Sequence, residues 1–165
     1  MPLKERQKYK KYISIAEAHK KLERYCAYQD RSHLEVEQKL RDLGIYGEDL
    51  DQIMIQLITD NFLNEERFAI SFAGGKYRIK KWGRIRIKKE LQKRKISAYC
   101  IRKAMLELED GYEETLLYIL RKKNRELHET DIFKRKGKLA KFAIRRGFEP
   151  KLVWEFLKKI DFSEE

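Results

Sequence analysis

The chain has 165 residues, of which 42% are hydrophobic and 40% charged, and its formal net charge at pH 7 is +12. Only two prolines and eight glycines interrupt it, which disfavours an all-β fold. No run approaches the roughly 18 apolar residues of a membrane span. Cys26 and Cys100 lack the spacing of a zinc or redox site, so a cytoplasmic protein with reduced thiols is expected.

The predicted elements begin with a basic arm and a first helix. Residues 1–12 contain several lysines and no apolar signal core, so we expect an N-terminal arm outside the core. The apolar stripe of the first helix consists of Ile15, Ala18, Leu22, Tyr25 and Cys26. Ser32 and Glu35 match a capping box, which predicts the start of a second helix.

A third helix follows, and its apolar face recurs twice along the chain. The face has the spacing i, i+3, i+4, i+7 and consists of Leu50, Ile53, Met54 and Leu57. The same pattern returns 51 residues later as Ile101, Ala104, Met105 and Leu108. After another 52 residues it returns as Val153, Phe156, Leu157 and Ile160. A period of this length indicates a repeat architecture.

The segment before each of these faces repeats as well. One equivalent apolar position is occupied by Val36, Ile87 and Leu139. A second equivalent position, at the end of a predicted helix, is occupied by Gly44, Lys95 and Gly147. Glycine suits a helix end in the left-handed conformation, so Lys95 is expected to end its helix differently.

Each period also opens on a helical stretch, which makes three helices per repeat. In the second repeat this stretch contains Phe68, Ala69, Phe72 and Ala73, and in the third it begins with Leu116, Leu117 and Leu120. The predicted repeats cover residues 13–60, 64–109 and 112–161. One such unit is marginally stable alone, so neighbouring units are expected to stack. The predicted fold is all-α: three tandem three-helix repeats forming an elongated, curved helical solenoid.

One stretch carries a conflicting pattern. Alternation with basic residues, as in a strand, is seen at Tyr77, Ile79, Ile85 and Ile87. Because the repeat places Ile87 at a helix core position, we predict helix here. Gly74 and Gly75 lie inside the predicted fourth helix at a cost of about 1–2 kcal/mol relative to alanine, which close packing or a helix break would explain.

Positive charge is concentrated in two segments. Residues 76–95 hold eleven Lys or Arg and one acid, and residues 134–146 hold seven Lys or Arg and no acid. Such patches favour a polyanionic partner, most often nucleic acid, over the alternative of a solvated surface without a partner. The candidate contacts in the first segment are Lys76, Arg78, Lys80, Lys81, Arg84, Arg86, Lys88, Lys89, Lys93, Arg94 and Lys95. Those in the second share one helix face and are Lys134, Lys138, Lys141 and Arg145.

Two tryptophans are candidates for apolar contact with a partner, and no group of residues predicts catalysis. Trp82 and Trp154 either mark an interaction site or cover the core of their own repeats. His19, His33 and His128 are scattered and have no nearby nucleophile, metal-binding spacing or phosphate loop. We expect no enzyme activity, no cofactor and no metal.

Three strings, in this order, resemble segments of one protein family. They are Asn64-Glu65-Glu66-Arg67-Phe68-Ala69 with Phe72, then Trp82-Gly83 with Arg86-Ile87 and Glu90-Leu91, then Arg145-Arg146-Gly147-Phe148. With the three-fold repeat, residues 15–160 resemble the RecX family. The resemblance implies three tandem three-helix repeats, binding along the groove of the RecA–DNA filament, inhibition of the recombinase and no enzyme activity.

From charge and resemblance together we predict a monomeric regulator of RecA, acting as an inhibitor, that binds the filament groove and modulates recombination and DNA repair. We expect contact with single-stranded or double-stranded DNA and none with a membrane. Two alternatives stay open. One is a sequence-indifferent DNA-binding helical module without a recombinase partner, and the other is a helical scaffold for an acidic protein.

Overall fold

The computed structural model describes residues 12–162, and the regular structure in that range is helical throughout. Its helices are α1 (Ile15–Tyr28), α2 (His33–Asp42), α3 (Gly47–Thr59), α4 (Glu65–Lys80), α5 (Arg84–Lys93), α6 (Ala98–Leu106), α7 (Tyr112–Glu126), α8 (Ile132–Arg145) and α9 (Pro150–Lys159). Within the described range no helix has the length and apolar character needed to cross a membrane. The predicted N-terminal arm lies outside this range apart from Tyr12.

The described part of the chain divides into two compact units, one up to Asn64 and the other from Glu65 onward. In the first unit α1, α2 and α3 pack on one another around one core. That core contains Ala18, Leu22, Cys26, Val36, Leu40, Ile45, Leu50, Ile53, Met54, Leu57 and Leu63. The predicted stripe of α1 is therefore confirmed at its centre. It is wrong for Ile15, which is 45% exposed because it occupies the first position of the helix, before the core begins.

Both α1 and α2 begin with a capping box. The Ser14 hydroxyl accepts a bond from the Glu17 N–H at 3.1 Å, and the Glu17 carboxylate accepts one from the Ser14 N–H at 3.0 Å. Ser32 and Glu35 form the same pair of bonds at 3.2 and 2.7 Å, which confirms the predicted box. Because Ser32 is fully buried, this box supplies partners for polar groups that water does not reach.

The second unit contains two three-helix groups, each with a core of its own. The core of α4, α5 and α6 contains Phe68, Ala69, Ala73, Ile87, Leu91, Ile96, Cys100, Ile101, Ala104 and Leu108. The core of α7, α8 and α9 contains Tyr112, Leu116, Ile119, Leu120, Leu139, Ala140, Ala143, Phe148, Val153, Phe156 and Leu157. Tyr77 packs against both cores and links them. The prediction of an all-α fold built from tandem three-helix repeats is confirmed.

The second helix of each repeat ends in the same way. The residues at that position have left-handed backbone angles, with φ of +84° at Gly44, +57° at Lys95 and +98° at Gly147. In each case the next residue is buried and its N–H reaches back five residues, as Ile96 does to the Leu91 carbonyl at 3.2 Å. The expectation that Lys95 ends its helix differently is therefore wrong. Burial of Ile96 and its hydrogen bond hold the lysine in a conformation that glycine adopts more readily.

α4 runs through both glycines to Lys80 without a break, and α5 starts at Arg84. The choice of helix over strand for this stretch is confirmed, with Ile87 fully buried and Ile79 78% exposed. Gly74 is buried beneath the side chain of Arg78, whose guanidinium would lie 2.8 Å from a β-carbon at that position. The glycine therefore makes room for an arginine one turn along the same helix.

A carboxylate from α4 binds the start of α6. Glu65 accepts hydrogen bonds from the Ser97 N–H at 3.1 Å and the Ser97 hydroxyl at 3.0 Å. The Cys100 thiol lies 3.3 Å from the same carboxylate, and burial raises the pKa of that thiol. Because Ser97 precedes the first residue of α6, these bonds cap the helix while joining it to α4.

Candidate nucleic-acid and partner interface

The first basic patch, the cations of residues 76–95, extends from the end of α4 through α5 to Lys95. Its exposed members are Arg78, Lys80, Arg86, Lys88, Lys89, Lys93 and Lys95. Its half-buried members are Lys76, Lys81, Arg84 and Arg94. The exposed cations are open to a ligand, whereas two of the half-buried ones, Arg84 and Arg94, are bonded to groups of the protein itself.

The single acid of this patch is bonded to two of its cations. Lys93 Nζ lies 2.8 Å from Glu90 Oε1, and Arg94 Nη1 lies 3.0 Å from Glu90 Oε2. The bond from Lys93, followed by that from Arg94, lowers the pKa of Glu90. The guanidinium of Arg94 also lies 4.7 Å from the ring centre of Phe72. Arg94 therefore holds the end of α5 against α4.

Lys88 and Lys89 differ from Lys93 and Arg94, which are bonded to Glu90. They are adjacent and exposed on α5, and neither forms an ion pair with any residue between 12 and 162. Since their charges are compensated by no acid of the described chain, they contribute more to the local positive potential than Lys93 or Arg94.

Trp82, predicted as a possible apolar contact, packs partly buried on the core of its own repeat. Two cations contact its ring, with Arg86 Cζ 4.0 Å and Lys76 Nζ 5.2 Å from the ring centre. Cation–π contacts of this kind orient both basic side chains at the surface. A contact between Trp82 and a partner stays a prediction.

The structure adds a groove between α5 and α6 that sequence reasoning missed. It has a volume of about 780 Å³ and is lined by residues that include Lys88, Tyr99, Lys103, Met105 and Leu106. Tyr99 is 54% exposed and Leu106 60% exposed, and Lys103 Nζ lies 5.7 Å from the Tyr99 ring centre. The groove thus combines an exposed aromatic ring with cations, one of which, Lys88, belongs to the first basic patch.

Arg84 joins the second and third repeats. Its Nε lies 3.1 Å from Glu149 Oε1, and its guanidinium carbon lies 3.9 Å from the ring centre of Tyr112. The Tyr112 hydroxyl donates to Glu149 at 2.8 Å and accepts from the Arg84 N–H at 2.9 Å. Burial first, and then the Glu149 carboxylate, raise the pKa of this hydroxyl. Arg84 is therefore a structural cation as well as a candidate contact.

Backbone groups of the same two repeats bind one another directly. The Gly83 N–H donates to the Arg146 carbonyl at 2.7 Å, and the Ile85 N–H donates to the Gly147 carbonyl at 3.0 Å. In return the Arg146 guanidinium donates to the Lys80 carbonyl at 2.6 Å. These bonds place the end of α4 and the start of α5 against the end of α8.

The second basic patch lies on one face of α8. Its four predicted members are all exposed: Lys134, Lys138, Lys141 and Arg145. The opposite face is buried, as expected from Leu139 and Ala143. Lys138 pairs with Glu129 at 2.7 Å, and this bond lowers the pKa of Glu129. The bond from Arg146 to the Lys80 carbonyl places the end of α8, next to Arg145, beside the end of α4.

Trp154, the other predicted apolar contact, is 44% exposed on α9. The equivalent positions of the first two repeats, Asp51 and Arg102, are also exposed. The side of α9 that carries Val153 and Phe156 enters the core. Trp154 thus presents part of its ring to solvent, and its contact with a partner stays a prediction.

Two family models match this chain. One describes the second three-helix domain of RecX and matches residues 64–105, and the other describes the third three-helix domain of RecX and matches residues 110–157. Together they cover more than half of the chain. The matched ranges correspond to α4–α6 and to α7–α9.

Curated relatives and solved structures agree with these matches. The regulatory protein RecX of Bacillus thuringiensis, Bacillus cytotoxicus and Bacillus anthracis is 23% identical over 130 residues, which is 78% of this chain and 48% of the relative. The chain thus spans about half the length of the curated relatives it matches.

Two solved structures share the fold. A crystal structure of RecX from Lactobacillus salivarius matches with a TM-score of 0.76 and 24% identity, covering 88% of this chain and 95% of that one. A crystal structure of a regulatory protein RecX matches with a TM-score of 0.79 and 20% identity, covering 88% of this chain and 73% of that one.

Proposed function

The chain belongs to the RecX family, and on this premise we propose that it inhibits RecA by binding the groove of the RecA–DNA filament and thereby modulates recombination and DNA repair. The observation that carries the proposal is the junction of the second and third repeats. There the end of α4 and the start of α5, which carry exposed cations of the first patch, are bonded to the end of α8, which carries Arg145, within one compact unit. We propose that these exposed cations act together as one basic surface. A surface of this kind suits a ligand with many regularly spaced negative charges.

The phosphates of filament DNA are the first candidate ligand of this surface. Each phosphate neutralised by a lysine or arginine releases counterions, so binding is strong at low salt and weakens steeply as salt rises. Acidic side chains on RecA would be attracted in the same way. We propose that the direct contacts come from the exposed cations without a described acid partner, namely Arg78, Lys80, Arg86, Lys88, Lys89, Lys95, Lys134, Lys141 and Arg145.

The half-buried cations have an indirect role in this proposal. Arg84 and Arg94 are engaged with Glu149 and Glu90, and they hold the elements that present the exposed cations. Tyr99 in the groove between α5 and α6 offers a ring on which an unpaired base can stack beside Lys88. The site thus combines electrostatic attraction with one aromatic contact.

The experiment is a titration of single-strand-dependent ATP hydrolysis by RecA with this protein, at about 50 and 200 mM salt. We expect inhibition at ratios well below one protein per RecA, because a regulator bound to a filament affects many subunits. Weaker inhibition at the higher salt is expected from the basic surface.

A variant pair tests the surface itself. Lys88→Glu with Lys89→Glu reverses two exposed charges of the first patch, and Lys20→Glu with Lys21→Glu reverses two adjacent exposed lysines of α1. Both pairs change the net charge equally. We expect only the α5 variant to lose its inhibition of RecA. The slope of its log DNA affinity against log salt concentration should be shallower by about 1.5.

The outcomes separate the proposal from its alternatives. Inhibition that appears only when the protein saturates the DNA would favour the sequence-indifferent DNA-binding module. No inhibition, with the DNA shown to be free, would favour a scaffold for an acidic protein. Equal inhibition by the two charge-reversed variants at both salts would remove the role assigned to the first patch.

A further inference from the structure

We propose that the first unit binds one divalent transition-metal cation of the zinc class, through His19, Glu23 and Asp60. One ligand atom from each of these side chains lies within 4.8 Å of the other two. The first two belong to α1 and the third follows the end of α3. A bound cation would therefore join the first and third helices of this unit.

The spacing along α1 provides two ligands on one helix face. His19 and Glu23 are four residues apart, and residues at i and i+4 are neighbours on a helix surface. Their closest ligand atoms, His19 Nε2 and Glu23 Oε1, are 3.6 Å apart. Two ligands of a tetrahedral zinc, with bonds of about 2.0–2.1 Å, are about 3.4 Å apart, so this pair is already close to the required separation.

The histidine nitrogen at this site lacks a hydrogen-bond partner within the described chain. His19 Nε2 is closed to solvent and makes no such bond with residues 12–162. The 3.6 Å separation between His19 Nε2 and Glu23 Oε1 is too long for a hydrogen bond, so Glu23 does not supply the missing partner. A cation between the three side chains supplies the nitrogen with a ligand bond and uses both carboxylates.

A neighbouring side chain holds the third ligand in place. Gln56 Nε2 donates a 2.8 Å bond to Asp60 Oδ2. A carboxylate has two oxygens, so this bond leaves the other oxygen for a cation. Hydrogen bonds of this kind orient the ligands of metal sites and restrict their rotation.

The donor set selects the class of cation. One imidazole nitrogen and two carboxylate oxygens suit zinc and neighbouring transition metals, whereas magnesium and calcium prefer oxygen ligands alone. The two carboxylates balance the charge of a divalent ion. Three protein ligands leave one position of a tetrahedral ion open for water.

The three ligands lie outside the ranges that the two family models match. The matched family ranges begin at residue 64, and all three ligands precede it. The proposal is also independent of RecA binding, because it concerns only the first unit.

Titration of the full-length, tag-free protein with zinc chloride in metal-free buffer, followed by calorimetry and thermal unfolding, tests the site. We expect one zinc per chain with a dissociation constant in the micromolar range or below. Zinc should raise the Tm, and magnesium chloride should leave the Tm unchanged. His19→Gln and Asp60→Asn should each weaken zinc binding at least tenfold. His128→Gln, which removes an exposed histidine elsewhere, should leave it unchanged.

Either of two results overturns the proposal. One is no zinc binding by the unaltered protein at about 100 μM. The other is equal binding by the unaltered protein, His19→Gln and Asp60→Asn, which would place the metal on thiols or on other histidines. Circular dichroism checks the fold of each variant. If His19→Gln fails to fold, Asp60→Asn decides, because Asp60 is exposed and contributes nothing to the core.

Discussion

The backbone of Gly83 lies against the backbone of Gly147 so closely that no side chain fits between them. A β-carbon on Gly83 would overlap the carbonyl group of Gly147, and one on Gly147 would overlap the backbone of Arg86. The two glycines come from different repeats, and each belongs to a string that resembles the RecX family. Both glycines are thus required for α5 to lie this close to the end of α8.

Gly83→Ala should destabilise the protein by at least about 2 kcal/mol, because the added methyl group forces the two backbones apart. Gly75→Ala is the matched control, since a β-carbon there meets nothing within 4 Å. The free energy of unfolding of this control should be unchanged or higher by up to about 1 kcal/mol, because alanine is favoured over glycine in a helix interior. Urea unfolding measures both, and equal effects of the two substitutions would contradict the close contact.

Much of the fold could be predicted because the spacing of apolar residues along a helix indicates which side chains are buried. The repeated apolar positions Val36, Ile87 and Leu139 are all fully buried, and the capping box at Ser32 forms as its spacing indicates. Local chemistry decides these features, so one segment of sequence is enough. The end of the second helix at Lys95 was mispredicted because tertiary contacts of Ile96 override the conformational preference of lysine.

Which cations of the first basic patch bind other residues of the protein and which face solvent could not be predicted in this way. Arg84 and Lys88 look alike in the sequence, yet one binds Glu149 and the other faces solvent. Glu149 lies in another repeat, and no local pattern indicates which residue it meets. The same reason hid the group formed by His19 and Asp60, because those residues come from different helices.

Lys95→Gly should stabilise the protein by about 0.5–1 kcal/mol. Lys95 has φ of +57°, a conformation that glycine adopts without the steric cost of a β-carbon. The control is Lys89→Gly, which removes the same charge inside α5 and should cost about 1 kcal/mol. Thermal and urea unfolding measure both, and destabilisation by Lys95→Gly would argue against the left-handed helix end.

Tyr112→Phe should lower stability at pH 8 and weaken its dependence on alkaline pH. Removal of the hydroxyl leaves Glu149 and the Arg84 N–H without this partner, at a cost of about 1 kcal/mol. In the folded protein burial raises the pKa of this hydroxyl, whereas in the unfolded chain it ionises near its ordinary value of about 10. The hydroxyl therefore contributes stability that is complete below pH 10 and is lost as the pH rises further.

Urea unfolding between pH 8 and 11.5 measures this difference. The unaltered protein should lose stability with increasing pH more steeply than Tyr112→Phe, by up to about 1.4 kcal/mol per pH unit. Tyr118→Phe, which changes an exposed tyrosine of the same helix, should follow the unaltered protein. Parallel curves for all three proteins would mean that the Tyr112 hydroxyl is not protected from ionisation.

Glu90→Gln should tighten binding to single-stranded DNA about twofold to fivefold at 50 mM salt, because it removes the only acid of the first basic patch. Lys93 then loses its ionised partner and is free to meet a phosphate, whereas Arg94 keeps its bond to the Glu90 carbonyl and its contact with Phe72. The loss of stability should be small, about 0–1 kcal/mol, since the pair is near the surface.

Glu37→Gln is the control, because it removes the same charge from a pair with Arg41 on α2 and should leave the affinity for DNA unchanged. Bonds from Lys93 and Arg94 lower the pKa of Glu90, so the carboxylate stays charged in mild acid and the gain from Glu90→Gln should persist at pH 5. Equal affinities of Glu90→Gln and Glu37→Gln, measured by fluorescence anisotropy, would show that DNA does not bind at this patch.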